Sequence, residues 1–452
     1  MPTVAQSQPD PQSQPGPQPD PQGRPDALLL MGDLVVLARQ GRLITEARRR
    51  GLAPLAVVSR DTDLDRLAEL RADAGHPLSG LAEVVQVPDA QVATVAPAVQ
   101  PLLRRYRVRG VISVGEVFVE PVGVLADVLG LPGSGSQAAL ICRNKLLQRT
   151  AAPAFAPSWQ TVPAEERAGF TLPAERLPAV VKPAGRFYSS GVRLVHDQEE
   201  LTAALAALAP HEIALVESRV VGPEFSVEAL VQGGEVLWSG VTGKESNESG
   251  GAFFTEVEHT SPAVLDEASR TALVEANREV LRRVGLKDGI THAEYRLTED
   301  GVVLMEVAAR LPGDAITFLW ELATGEGVEP AMVDLALGLP TRYPEPRRRA
   351  RQHFVDHPHG RLADVTADGA EVSWIVRDDR WPVLTPLAPQ APAALRGVLV
   401  GRRVGDLLDD QVDSGHRSAS LIVDVPLDES VDGATKTFAD QVRVVVDPHP
   451  AG

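Results

Sequence analysis

From residue 26 onward, short apolar runs alternate with longer amphipathic stretches. Ala27 to Met31, Pro54 to Val58, Glu83 to Val87 and Gly110 to Val114 are separated by helical segments such as Gly41 to Arg50 and Val92 to Tyr106. That rhythm predicts a parallel, Rossmann-like α/β domain over residues 26–135. From about Ser136 the pattern changes to helix and then hairpins. Asp61 to Asp73 and Pro262 to Val284 read as helices, the second with Leu273, Ala276, Val280, Leu281 and Val284 on one stripe and Gly285 as its stop. Gly233-Gly234, between EFSVEALVQ and EVLWSGV, is a two-residue hairpin signal. Strand-like runs at Arg396 to Val404, Ser418 to Val425 and Gln441 to Val446 close the chain. The pattern predicts mixed α/β and α+β architecture with boundaries near residues 135 and 345, and no repeat of solenoid period.

Composition narrows the function classes. The 452 residues give a prior of about three domains. Apolar residues make up 44% and charged residues 23%, as in globular proteins. The 44 basic and 61 acidic side chains leave a net charge of −17. Such a field repels polyanions, so neither a nucleic-acid nor a membrane-surface partner is expected. One cysteine, Cys142, allows no internal disulfide, and the cytoplasm is the default location. Ala27 to Ala38 is 12 residues long and contains Asp33, whereas a membrane span needs about 20 apolar residues. The first 25 residues hold eight prolines and six glutamines with no basic leader, and read as a disordered, partly PPII-like tail.

Candidate chemistry begins in THAEYRLTEDGVVLMEVAAR, residues 291–310. Two alternating runs flank Glu299-Asp300-Gly301, which predicts a three-residue hairpin loop with Gly in the left-handed position. Pairing Thr298 with Val302 then sets Arg296 opposite Leu304 and Glu294 opposite Glu306, with both carboxylates on one face. Like charges so placed are destabilising, and a cation should sit between them. Two hard oxygen ligands suggest Mg²⁺ held jointly by carboxylates and a substrate's phosphates. The bland alternative is a solvent-facing sheet surface, since His292 and Arg296 share the face and could neutralise it. Lysine usage adds a second signal: there are five lysines against 39 arginines. A retained lysine points to a site that wants a compact ammonium, a common phosphate partner. Lys182 leads into PAGRFYSSGV, a flexible loop able to offer backbone N–H groups to an anion, or else a plain turn. Lys145, taken alone, is uninformative.

Together these motifs resemble the ATP-grasp superfamily of carboxylate–amine ligases, and within it the L-amino acid ligases that form dipeptides. The resemblance covers nearly all of residues 26–452. It implies an N-terminal α/β domain, an ATP-grasp domain at 136–345 (subdomains about 136–210 and 211–345) and a smaller C-terminal α+β unit at 346–452. SVGEVFVEPVGVLADVLGLPGSGSQAALICRNKLLQR places Lys145 as the first nucleotide-binding lysine, and PAVVKPAGRFYSSGVRLV places Lys182 as the second, followed by a mobile phosphate loop with Ser189, Ser190 and Gly191. ALVESRVVGPEFSVEAL is similar to the linker that clasps adenine, with Glu217 as its acidic residue and Glu224 accepting the ribose hydroxyls. HAEYR and LMEVAARLPGD are similar to the two metal-bearing strands, which makes Glu294 and Glu306 the metal ligands, with Arg310 and Gly313 on the substrate side. FFTEVEHTSPAVL suggests that Glu256 and His259 line an amino-acid pocket.

The resemblance implies ATP and Mg²⁺ (or Mn²⁺) as cofactors, amino-acid substrates and an acyl-phosphate reaction; it also admits a homodimer. Lys145 and Lys182 would hold phosphates, and Arg310 the charge developing in transfer. One departure stands out: many members carry Asn two residues after the second metal glutamate, and here that position is Ala308. The run Arg347, Arg348, Arg349, Arg351 reads as a solvated turn. Rival readings are an ATP-grasp carboxylase or nucleotide-biosynthesis ligase, and an ATP-binding module that has lost catalysis.

Overall fold

The computed structural model describes residues 20, 22–186, 191–247, 255–411 and 413–447. Most of the tail, and Ser189 and Ser190 of the glycine-rich loop, lie outside the described residues. The first sheet is parallel: β1 (Asp26–Met31), β2 (Ala53–Ser59), β3 (Glu83–Val87) and β4 (Arg107–Ser113), in the order β3-β2-β1-β4. Ala27 to Met31 are all fully buried, as befits a central strand covered on both faces by helices.

Next come β5 (Trp159–Val162), β6 (Ala179–Pro183), β7 (Arg193–Val195) and β8 (Ala214–Ser218), an antiparallel sheet in the order β5-β8-β6-β7. The larger sheet opens with β9 (Glu224–Gln232), β10 (Glu235–Ser246), β11 (Glu256–Ser261), β12 (Gly289–Thr298), β13 (Gly301–Ala308) and β14 (Arg348–Phe354). Further on lie β15 (Gly360–Ala367), β16 (Val372–Ser373), β17 (Ala394–Val400), β18 (Leu407–Leu408), β19 (Ala419–Pro426) and β20 (Val442–Asp447). The nine-stranded order is β13-β12-β9-β10-β11-β14-β19-β17-β16, so one sheet runs straight through the division expected near residue 345. A separate small sheet, β18-β15-β20, packs beyond it.

Local signals explain most elements. Gly233 and Gly234 have φ of 59° and 83°, as a two-residue hairpin turn requires, and join Gln232 to Glu235. The long helix starts later than expected, at Glu267, because Asp266 caps it by accepting from Ser269 N at 2.8 Å. It stops at Gly285, in the left-handed conformation with φ of 75°. The expected stripe is buried.

The hairpin of β12 and β13 corrects the expected register while keeping its consequence. Thr298 pairs with Gly301 across a two-residue loop, and Arg296 with Val303 rather than Leu304. A bulge at Met305 then restores the count, so Glu294 does face Glu306.

The arginine run is the clearest correction. Arg348, Arg349 and Arg351 lie on β14, not in a solvated turn; only Arg347, just before the strand, is exposed, and Arg348 is 1% exposed. Its guanidinium holds Asp424 on β19, itself fully buried, at 3.1 and 3.2 Å and donates to the carbonyls of Ala388, Pro389 and Ala391. Arg396 reaches the same carboxylate at 2.8 Å. A buried charge survives only with its partner, so removing Asp424 strands two cations. Asp424→Ala should therefore cost about 3–5 kcal/mol in chemical denaturation. A loss below about 1 kcal/mol, the scale of an exposed pair, would contradict that reading.

Candidate active site

The antiparallel sheet β5–β8 and the nine-stranded sheet face each other across a cavity of about 1520 Å³, measured with its open mouth. Lys145 is the first residue of helix Lys145–Ala151, whose start Asn144 fixes by accepting from Leu146 N at 2.9 Å. From there its ammonium donates to Arg186 O at 2.8 Å and pairs with Glu306 Oε2 at 2.8 Å. Lys182 sits on β6 and pairs with Glu217 Oε2 on β8 at 2.6 Å. Arg149, fully buried, takes Oε1 of the same carboxylate at 2.6 Å. Glu217 thus spends its side chain on two buried cations, and beyond it the cavity wall is Ser218, Arg219 and Val220.

A third lysine, unforeseen from the sequence, lies deeper. Lys244 on β10 is 6% exposed, pairs with Glu256 Oε1 at 2.6 Å and also reaches Glu294. Carboxylate oxygens of Glu224, Glu256 and Glu294 lie within 4.8 Å of one another. The cation expected between opposed glutamates is therefore present as ammonium: Lys244 on Glu294, Lys145 on Glu306. Glu224 also holds Arg296 at 2.9 Å. Lysine scarcity already carried the signal for Lys244, since the other two lysines, Lys287 and Lys436, are exposed.

The far end of the cavity is built by segments distant in the sequence. Arg310 follows β13 and is held at 2.5 Å by Glu116, a buried carboxylate just after β4 that Arg143 also grips at 2.6 Å. His259 on β11 meets Asp314 at 2.9 Å, and Arg417 from the C-terminal unit meets Asp314 at 2.8 Å while stacking 3.8 Å over Phe354. Asp314 has a φ of 47°, rare for a non-glycine residue. Gly313 lines the cavity with nothing within 4 Å of the position its Cβ would take. Glu116, Arg143, Asp314 and Arg417 carried no sequence signal, because each is defined only by a partner 27 to 194 residues away. Cys142 is free and buried.

Charge compensation sets the protonation states. Burial pulls Lys182 down to about 8, opposed by Glu217 and reinforced by Arg149 and Lys145. Burial would raise Glu217, but Lys182 and Arg149 outweigh it and hold the carboxyl at about 2. Lys244 goes the other way: burial disfavours its charge, yet Glu256, Glu294 and Glu224 drive it well above the ordinary lysine value. Burial is likewise outweighed at Glu294 by Lys244 and His292, and at Asp314 by Arg417 and His259, so both stay ionised. Glu224 rises, chiefly through burial. Such a set of compact ammoniums and hard carboxylate oxygens suits a polyphosphate with a divalent cation.

Residues 175–318 match the model of the ATP-grasp domain. An uncharacterised protein of Sinorhizobium fredii is 30% identical over 310 residues, covering 66% of this chain and 61% of that one. The alanine–anticapsin ligase of Bacillus subtilis is 26% identical over 227 residues, 44% of this chain and 47% of the ligase. The chain thus spans between 47% and 61% of these curated relatives. The crystal structure of L-amino acid ligase from Bacillus licheniformis superposes with a TM-score of 0.72 at 20% identity, covering 94% of this chain and 100% of that one. Residues 175–318 thus match an ATP-grasp domain, and the fold of the chain is the one seen in the L-amino acid ligase structure.

The electrostatics generate a test that needs no substrate. Removing Lys244 takes away the cation shared by Glu256 and Glu294 and leaves three close carboxylates with Arg296 and His292 beside them, whereas Lys287 is 60% exposed and only pairs with Asp127. Lys244→Met should cost about 3–5 kcal/mol in denaturation and Lys287→Met about 0–1 kcal/mol. Equal costs would refute the compensation described here.

Proposed function

We propose that the protein is an ATP-dependent carboxylate–amine ligase that activates an amino-acid carboxylate as an acyl phosphate and joins it to the amine of a second amino acid. The observation that carries this reading is the convergence of three of the chain's five lysines with Glu294, Glu306 and Arg310 on one cavity. The relatives of this fold add support, since an amino-acid ligase and an alanine–anticapsin ligase are among them.

Roles follow from position. Lys145 and Lys182 hold the α and β phosphates; Ser189, Ser190 and Gly191 are the phosphate-loop residues the resemblance assigns. Glu224 accepts the ribose hydroxyls; Glu217 keeps Lys182 and Arg149 compensated rather than reading the base. Glu294 and Glu306 would hold Mg²⁺ or Mn²⁺, which would supply positive charge against the triphosphate. Glu256, His259, Gly313 and Arg310 receive the amino acids. In the first step a substrate carboxylate oxygen bonds to the γ-phosphorus as the bond to ADP breaks. In the second the neutral amine attacks the acyl carbon, phosphate leaves and the amine's proton goes to solvent or phosphate. Arg310, held by Glu116, faces the charge that develops. Acid–base groups matter less here than positioning. A cytoplasmic location fits a reaction that draws on ATP.

Phosphate release with ATP, Mg²⁺ and a panel of amino acids tests the proposal, with products identified by mass. Release that needs two amino acids is expected; dependence on bicarbonate would move the reading to a carboxylase, and nucleotide binding without turnover to a binding module. Glu306→Gln should lower kcat at least about a hundredfold, as loss of a charge-stabilising group at a reacting centre does. Retained turnover at saturating magnesium would contradict its role.

The Lys182 ammonium, with a pKa of about 8, makes a further prediction. Its charge is present below that pH and lost above it, so kcat/KM for ATP should fall as pH rises through about 8. Lys182→Arg, charged throughout, should flatten the fall. A wild-type profile that stays level up to about pH 9.5 would contradict the assignment.

A further inference from the structure

Beyond Arg310 lies a second, smaller cavity of about 480 Å³, measured with its open mouth, to which the proposed chemistry gives no occupant. Its walls are Val111 and Ile112 of β4, Val122 of helix Val119–Leu129, Ile290 of β12, and Met332 and Leu335 of helix Glu329–Leu337. All six are at most 6% exposed. Packed interiors leave few voids larger than a water molecule, so an open apolar space beside a polar cleft is the form a ligand subsite takes.

Two observations join this space to the larger cavity. Arg310 lines both. Strand β12 also runs from one to the other, because side chains alternate along it and Ile290 shares a face with His292 and Glu294, which line the larger cavity. Unbroken pairing of Gly289 through Glu294 with β9 keeps that alternation regular. A substrate group held against Arg310 therefore borders the smaller cavity as well as the larger one.

The polar atoms at the rim select the chemistry of the occupant. Ser113 Oγ donates to Gly115 O at 2.6 Å, and Asp288 Oδ1 accepts from Gly233 N at 2.8 Å. Arg310 spends Nε on Glu116 and a terminal nitrogen on Leu311 O at 2.9 Å. The carbonyls of Gly133 and Ser134 accept from Asp288 N at 3.0 Å and Lys287 N at 3.2 Å. With these groups engaged by the protein itself, a polar group entering the space would lose water without gaining a partner, whereas an aliphatic group loses nothing.

We propose that this cavity is a side-chain subsite that takes the aliphatic side chain of one of the two amino acids, with Met332 and Val122 setting the size it accepts. The inference rests on the ligase reading, since it needs an amino acid whose reacting carbon faces Arg310. Leucine or methionine suits the chemistry of the walls; glutamine, glutamate and lysine do not.

The test is phosphate release by the full chain with ATP and Mg²⁺, the acid and the amine partner being varied in turn over alanine, leucine, methionine, phenylalanine, glutamine, glutamate and lysine. At one of the two positions the wild type should prefer leucine or methionine to the three polar side chains by at least about tenfold in kcat/KM. Met332→Ala should move that preference toward phenylalanine and Val122→Phe toward alanine, each by about 10- to 200-fold, while KM for ATP stays where it was. Each preference is a ratio measured on one sample, so a variant that is only partly folded still reports it; should neither variant fold, the wild-type preference decides alone. Absence of that wild-type preference at both positions, or turnover with the ratios unchanged in both variants, overturns the inference and leaves the ligase reading standing. No amino-acid-dependent turnover in the wild type overturns both.

Discussion

Everything in this cavity depends on keeping buried charges matched. Lys145, Lys182 and Lys244 each lie within 3 Å of a carboxylate from another element, and Arg149, Arg296, Arg310 and Arg417 likewise pair with carboxylates distant in sequence. An unpaired ion at such depth costs several kcal/mol, so each partner holds the other in place. The preference for ammonium over guanidinium at three points then has a physical meaning. A compact cation can give up a carboxylate to a phosphate or metal without the two-pronged geometry that an arginine would have to break. The empty site is stable because its own cations and carboxylates compensate one another.

The elements that build it were legible to different degrees. The N-terminal strands read cleanly because consecutive buried residues produce uninterrupted apolar runs, and Gly233-Gly234 and Gly285 announced a turn and a helix end through backbone conformations few other residues adopt. Glu294 facing Glu306 was also legible, though by two errors that cancelled: a loop one residue shorter than expected and a bulge at Met305 that restores alignment. Bulges leave little mark in composition, so no count along the strand reveals one. The arginine run on β14 misled because charge density suggests solvent, whereas Asp424, 76 residues later, makes burial tolerable. Lys244 was within reach, since rarity had already singled out its two companions.

The three units contribute unequally but jointly. The parallel domain supplies Glu116, which positions Arg310; the nine-stranded sheet supplies the carboxylates; the C-terminal unit supplies Arg417. Because that sheet continues from β13 through β16, the last hundred residues are built into the wall rather than appended to it. Changes in the C-terminal unit would thus reach the cavity through Arg417 and Asp314. Behind the opposite wall, Glu228 gathers β9, β10, β12 and the helix Ile316–Thr324 around a single carboxylate, giving β12 a rigid backing.

The central claim is that the matched charges of this cavity are arranged to receive a nucleotide polyphosphate with its ion, and calorimetric titration of the intact protein with ADP tests it most directly. The account predicts saturable binding that tightens when a divalent cation is added and is lost when Lys145 and Lys182 are both replaced by Met. Binding that is indifferent to the cation and survives the double replacement would contradict it.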